Sequence, residues 1–219
     1  MMIVIATVMV VVIVIVMNNL LNLKFDEFDL ELKEYAKENN VPIIFDEGLA
    51  FLELIIRLYK PKTILEIGTA IGYSAIRMHK VCGSKITTIE RNEKMYEVAK
   101  NNILKAKLEN EIDVIYKDAL EAFDDIKDLT FDLIFIDAAK AQYTKFFEMY
   151  QQLLNPKGVI VCDNMLFHGL VDGDVSNQSR SVRGLVRKLN NFHEYLLNNE
   201  NYKTSIFNIG DGMAVSVKV

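Results

Sequence analysis

The sequence has no internal repeat and no low-complexity linker between residues 18 and 219, which excludes a solenoid or a string of tethered modules. Cysteine is scarce. Cys82 and Cys162 stand 80 positions apart with no C-x-x-C pair and no zinc-like spacing, so neither a disulfide framework nor a structural zinc site is encoded. Two isolated thiols fit packing positions in a reducing, cytoplasmic setting. His79, His168 and His193 show no triad spacing and read as structural or surface residues, with His168 alone near the groups described below. Positive charge is not in excess either. With 30 acidic against 25 basic residues the net charge is −5, so the overall field repels nucleic acid, and any RNA must be held by a local basic patch.

No charge occurs before Lys24. Residues 1–17, MMIVIATVMVVVIVIVM, form an apolar run that is short for a membrane span, which takes about 17 to 25 apolar residues. The run also lacks the basic n-region and small-residue cleavage site of a signal peptide. Asp26 and Glu27 follow Lys24, so the flanking charges carry little orientation signal. Three readings are open for it: a membrane anchor, an added strand or helix buried in an oligomer, or upstream sequence in front of a true start near Met17. The remaining residues, 18–219, have the length and composition of one domain, with a helical cap over 25–60.

Charged and apolar residues alternate at helical spacing from Phe25 to Asn39, where N-N-V-P ends the helix because the residue before Pro42 disfavours the helical region. A second helix is predicted over Glu47–Tyr59. Five short β-branched runs follow: TILEIG (63–68), KITTIE (85–90), IDVIY (112–116), FDLIFID (131–137) and GVIVCDN (158–164). Helical stretches separate them, at Tyr73–Val81, Glu93–Leu108, Ala119–Ile126 and Gln142–Leu154. This alternation predicts an α/β fold: a mostly parallel sheet with right-handed crossovers and helices on both faces. A long helix near Val182–Asn199 then precedes two runs joined by the tight turn G-D-G (210–212), a hairpin signal that predicts an antiparallel strand at the end of the sheet.

Ligands of open α/β sheets collect at the carboxyl ends of the strands. Glu66 and Gly68 end the first strand, Glu90 the second, Asp118 lies just past the third, Asp137 ends the fourth, and Asp163 with Asn164 ends the fifth. The stretch EIGTAIGYSA carries glycines at 68 and 72, either a tight strand-to-helix turn or a close backbone approach to a ligand, with Tyr73 and Ser74 opening a helix whose free N–H groups suit a carboxylate. Glu90, 22 residues after Gly68, stands where an acid holds a ribose diol, or is a solvated strand-end acid. Asp118 and Ala119 then lie beside a base, or Asp118 caps a helix. Asp137, Asp163 and Asn164 are oxygen donors at adjacent strand ends with no His or Cys among them, a set that matches a hard cation such as Mg²⁺.

The motifs LEIGTAIGYSAIRM, TIERNE, DAL, FIDAAKAQY and DNMLFHG resemble those of the class I, S-adenosylmethionine-dependent, cation-dependent O-methyltransferases of the catechol and caffeoyl-CoA type, over residues 25–219. The resemblance implies a Rossmann-like methyltransferase fold with seven strands. It implies that Val41, Glu66, Gly68, Tyr73, Ser74, Glu90, Asp118, Ala119 and Asp137 bind the methyl donor. Asp137, Asp163 and Asn164 would then hold Mg²⁺ or another divalent cation, and Lys140, with Asp137, would be catalytic. It also implies a homodimer in which the N-terminal region helps cover the site.

Within the family the chain is similar to the bacterial branch containing the tRNA 5-hydroxyuridine methyltransferase, through FFEMYQQLL, DNMLFHGLV, RGLVRKLNNFHEYLLNN and IGDGMAVS. This implies a tRNA anticodon-loop substrate, whose 5-hydroxyl beside the O4 carbonyl chelates a cation as a catechol does. Arg180, Arg183, Arg187 and Lys188 would meet its phosphates, or form an ordinary basic helix face. A small-molecule O-methyltransferase acting on catechols or hydroxycinnamoyl esters is the alternative. A non-catalytic binding protein is disfavoured, because neither Lys140 nor a cation ligand is missing.

Overall fold

A computed structural model describes residues 23–171 and 173–219; the apolar run 1–17 lies outside them. In chain order the elements are α1 (Glu27–Glu38), α2 (Asp46–Tyr59), β1 (Thr63–Ile67), α3 (Tyr73–Cys82), β2 (Lys85–Glu90), α4 (Glu93–Lys105), β3 (Ile112–Tyr116), α5 (Phe123–Ile126), β4 (Phe131–Ile136), α6 (Tyr143–Tyr150), β5 (Leu154–Cys162), α7 (Arg180–Leu197), β6 (Tyr202–Phe207) and β7 (Met213–Lys218). One seven-stranded sheet runs β3-β2-β1-β4-β5-β7-β6. Its first five strands pair in parallel, and β7 alone runs antiparallel to its neighbours β5 and β6. Among the described residues no helix is long and apolar enough to cross a membrane.

The strands read as continuous apolar runs because both faces are covered, the expected signature of a parallel sheet. Alternate residues feed two cores. Leu133, Phe135, Val159 and Val161 pack under α1 to α4, whereas Ile134, Ile136, Ile160 and Cys162 pack under α6 and α7 with Phe147 and Phe192. Burial of that second environment pushes the Cys162 thiol far above its usual range, so it is an inert packing group.

The cap is tied down by charge rather than by apolar area alone. Arg77 of α3, 4% exposed, donates from Nη1 to Asp29 of α1 at 2.5 Å and from Nη2 to Glu53 of α2 at 2.5 Å. Asp29 also completes a capping box with Asp26 at the start of α1. One guanidinium therefore fixes two helices against a third.

Two expected elements differ. The helix expected over Ala119–Ile126 survives only as Phe123–Ile126, because the Asp118 carboxylate accepts from the Leu120 N–H at 2.9 Å and closes a local turn that competes with helix. The fifth strand begins at Leu154 instead of 158, shortening α6 to Tyr150. Phe131 pairs with Leu154 but Leu133 pairs with Val159, so Asn155–Gly158 bulges out around Pro156, which lacks a donor for the ladder.

Candidate active site

The chain winds from β1 outward to β3 on one side and resumes at β4 on the other, so the carboxyl ends of β1 and β4 form a switch point. A cleft of about 1110 Å³ opens there, walled on its far side by α1 and the segment Val41–Glu47. Gly68 (φ +106°) and Gly72 (φ +81°) shape its floor. Asn102 of α4 holds the intervening loop by donating to the Ile71 carbonyl at 2.9 Å.

Val41, Gly68, Tyr73, Ser74, Glu90, Asp118, Ala119, Asp137, Lys140 and Asn164 all line this cleft, so residues spread over a hundred positions meet in one place. Glu90 is held by two backbone donors, Ala70 N–H at 2.9 Å and Asn92 N–H at 2.7 Å, one on each carboxylate oxygen. Asp118 is drawn below the usual carboxylate range by the Leu120 N–H, with Arg91 at 3.2 Å helping. Glu66 and Asp163 are not among the lining residues: both are buried, Glu66 against Ser74 and Asp163 directly beside Asn164. Glu66 accepts from Ser74 Oγ at 2.5 Å and Thr88 Oγ1 at 2.6 Å, and burial pushes its pKa up to about 8 despite those two donors. It acts on the cleft through Ser74.

Burial also raises the pKa of Asp137, with Lys140 opposing, and raises that of Asp163, with the neighbouring Asp137 adding to it. Asp163 is 1% exposed, and its Oδ2 has no hydrogen-bond partner. Lys140 Nζ donates to Asn164 Oδ1 at 2.9 Å, and Tyr143 donates to the Asp163 carbonyl at 3.0 Å. Asn164, Phe167 and His168 all have positive φ (55°, 45° and 56°), a conformation that costs about 1–3 kcal/mol per non-glycine residue. The surrounding structure must impose it.

Arg180, Arg183, Arg187 and Lys188 are exposed on α7 and none of them lines the cleft. Asp211 and His168 also line the cleft; the sequence shows Asp211 only as the centre of a tight turn, although an acid between two glycines beside a strand is a signal, and gives His168 no role.

A family profile described as O-methyltransferase matches residues 25–219. The chain belongs to the O-methyltransferase family. This O-methyltransferase is S-adenosylmethionine-dependent and of the caffeoyl-CoA and catechol type. A caffeoyl-CoA O-methyltransferase of Populus kitakamiensis is 29% identical over 193 residues, covering 84% of this chain and 80% of its own. A solved Staphylococcus aureus structure, provisionally named a caffeoyl-CoA O-methyltransferase, is 42% identical with TM-score 0.84, covering 89% of this chain and 93% of that one. A Bacillus cereus O-methyltransferase solved with S-adenosylhomocysteine is 27% identical, with TM-score 0.79 and coverage of 90% and 93%.

Proposed function

We propose that this O-methyltransferase acts on a hydroxyl flanked by a second oxygen, that Asp137, Asp163 and Asn164 hold a divalent cation for it, and that the acceptor is 5-hydroxyuridine in the tRNA anticodon loop. The observation that carries the cation is the Asp163 carboxylate, buried with Oδ2 unpartnered beside a second carboxylate and an amide oxygen. Lys140 opposes the pKa rise at both acids without cancelling it, so a further positive charge there would ease their ionisation. The donor set proposed is two carboxylates with the Asn164 amide oxygen, an all-oxygen set that would suit a hard cation; among the described residues no three groups of the His, Cys, Asp or Glu class cluster at ligand spacing.

When bound, the sulfonium supplies the methyl group and the cation supplies the Lewis acidity that makes a hydroxyl acidic at neutral pH. The chain supplies placement. Free N–H groups at the start of α3 receive the amino-acid end of the donor, and Glu90, already fixed by Ala70 and Asn92, turns its remaining lone pairs to the ribose diol. Asp118 and Ala119 flank the base. Lys140, oriented by Asn164 at 2.9 Å, takes the acceptor proton on Nζ or steadies the oxyanion. Ala138 and Ala139, with side chains of a single methyl, leave room there for donor and acceptor to meet in line.

Support for the RNA acceptor is the row of exposed arginines at 180, 183 and 187, which share one face of α7 and form the local basic patch that an acidic chain needs. An unstacked anticodon base splayed into the cleft would present its 5-hydroxyl and O4 as the chelating pair of oxygens. The relative named for caffeoyl-CoA favours a second reading, a small phenolic acceptor, and the apolar wall of Val41, Ile43 and Phe146 would suit its ring. Both readings place the enzyme in the cytoplasm, where its two unpaired thiols stay reduced.

The test supplies purified enzyme with labelled S-adenosylmethionine, Mg²⁺ and either undermodified tRNA or catechol. Transfer to tRNA, abolished by a chelator, is expected. Transfer to catechol alone replaces the RNA reading with the phenolic one, and transfer that survives chelation removes the cation.

A further inference from the structure

Three non-glycine residues of the loop Asp163–His168 hold left-handed backbone, yet this loop carries two of the proposed cation ligands. What holds it is the turn between β6 and β7. Met165 N–H donates to the Gly212 carbonyl at 2.9 Å and Leu166 N–H to the Asp211 carbonyl at 2.8 Å. A side chain takes the third position, since the His168 N–H donates to Asp211 Oδ1. The fit is close enough that a Cβ on Gly212 would stand 2.8 Å from the Leu166 nitrogen. From the other side His193 Nε2 lies 3.0 Å from the Met165 carbonyl.

Asp211 does more than this clamp requires. It is 5% exposed and lines the cleft, and its second oxygen, Oδ2, is buried without a hydrogen-bond partner. The His168 ring is 3.7 Å away, outside hydrogen-bonding reach, on a side chain that is 66% exposed. Asp211 is also near enough to Asp163 to add to the rise of its pKa, yet it does not complete a three-carboxylate group at ligand spacing. Asp211 thus brings to the cleft wall a buried carboxylate oxygen with no hydrogen bond, close enough to Asp163 to act on it electrostatically.

We infer that Asp211 is a positioning residue of the methyl-acceptor site, clamping the Asn164-bearing loop through Oδ1 and supplying through Oδ2 a third negative charge that raises the pocket's affinity for the divalent cation. The inference rests on the cation reading above. It assigns the Gly-Asp-Gly turn, remote in sequence from every ligand, a place in the site. Partners behind metal ligands commonly set cation affinity by 10- to 100-fold.

Asp211→Asn separates the two roles, because an amide oxygen still accepts from the His168 N–H while the charge is gone. Mn²⁺ titrations followed by electron paramagnetic resonance, with neither methyl donor nor acceptor present, read cation affinity directly; thermal melting and S-adenosylhomocysteine affinity report the fold and the donor half of the cleft. The expected result for Asp211→Asn is Mn²⁺ binding weakened by about 10- to 100-fold with melting and S-adenosylhomocysteine affinity unchanged. Asp211→Ala is expected to weaken Mn²⁺ further and to lower the melting temperature as the loop is released. If wild type binds Mn²⁺ and Asp211→Asn binds it equally well, the charge role falls. If Asp211→Ala melts as wild type does, the clamp falls. If wild type itself takes up no Mn²⁺, the cation reading fails and this inference with it.

Discussion

Gly68 and Asp137 meet across the switch point with no room for one more carbon: a Cβ on Gly68 would stand 2.0 Å from the Asp137 carbonyl oxygen. Asp137 N–H in turn donates to the Ile67 carbonyl at 3.0 Å, so the two strand ends are stitched edge to edge where the proposed donor and acceptor sites adjoin. Gly68→Ala adds both that clash and a side chain at φ +106°. The expected cost is at least about 2 kcal/mol of stability, with loss of S-adenosylhomocysteine binding, checked by urea unfolding and calorimetric titration. A variant that binds as wild type does would show that the two strand ends part easily.

Lys140 reaches Asn164 rather than solvent, which places its Nζ at the oxygen donors instead of at the cleft mouth. Lys140→Ala is expected to lower kcat by about 10²- to 10⁴-fold while S-adenosylhomocysteine affinity stays as in wild type, measured by single-turnover methyl transfer and titration. An equal loss in donor affinity would mean that the lysine holds the donor and not the proton.

Glu66 is expected to make stability fall as pH rises. Its folded pKa, about 8, stands above its ordinary value of 4.5, so the folded chain keeps a proton that the unfolded chain has lost. The contribution is fully present below 4.5 and is lost as pH climbs through about 8, at up to about 1.4 kcal/mol per pH unit in between. Glutamine mimics the neutral acid, offering one donor and one acceptor to Ser74 and Thr88. Urea midpoints of wild type and Glu66→Gln at several pH values should therefore diverge with rising pH; parallel curves would contradict a protonated Glu66.

Arg77→Ala leaves Asp29 and Glu53, 1% and 6% exposed, without their shared guanidinium. Removing one partner from a buried ion group costs about 3–5 kcal/mol. Since α1 and α2 form one wall of the cleft, the same change should expose the cap to proteolysis before the sheet unfolds. Limited digestion compared with global unfolding checks this, and simultaneous loss of both would show that cap and sheet are one cooperative unit.

The order of strands and helices, the paired glycines and the acids at the strand ends were legible because each rests on local chemistry. Period-2 and period-3.6 patterns need no tertiary context, and a strand-end acid is placed by its own strand. The shortened α5 and early β5 were not legible, because a carboxylate turn at Asp118 and a bulge around Pro156 each outweigh a periodic pattern. Burial was hidden as well. Glu66 and Asp163 carry the same letters as exposed acids, and only the packed sheet decides that one lies under two hydroxyls and the other is left with an unpartnered oxygen.

The sequence by itself determined the fold, the family and the glycines and acids at the strand ends that share the cleft, since these follow from patterns each segment carries alone. Tertiary structure decided the environment of each charge: which guanidinium binds the cap, which amide steadies Lys140, and that Asp211 comes within electrostatic reach of Asp163. Those relations join positions 24 to 48 residues apart through the packing of elements, and desolvation and Coulomb energy depend on distance in space rather than along the chain.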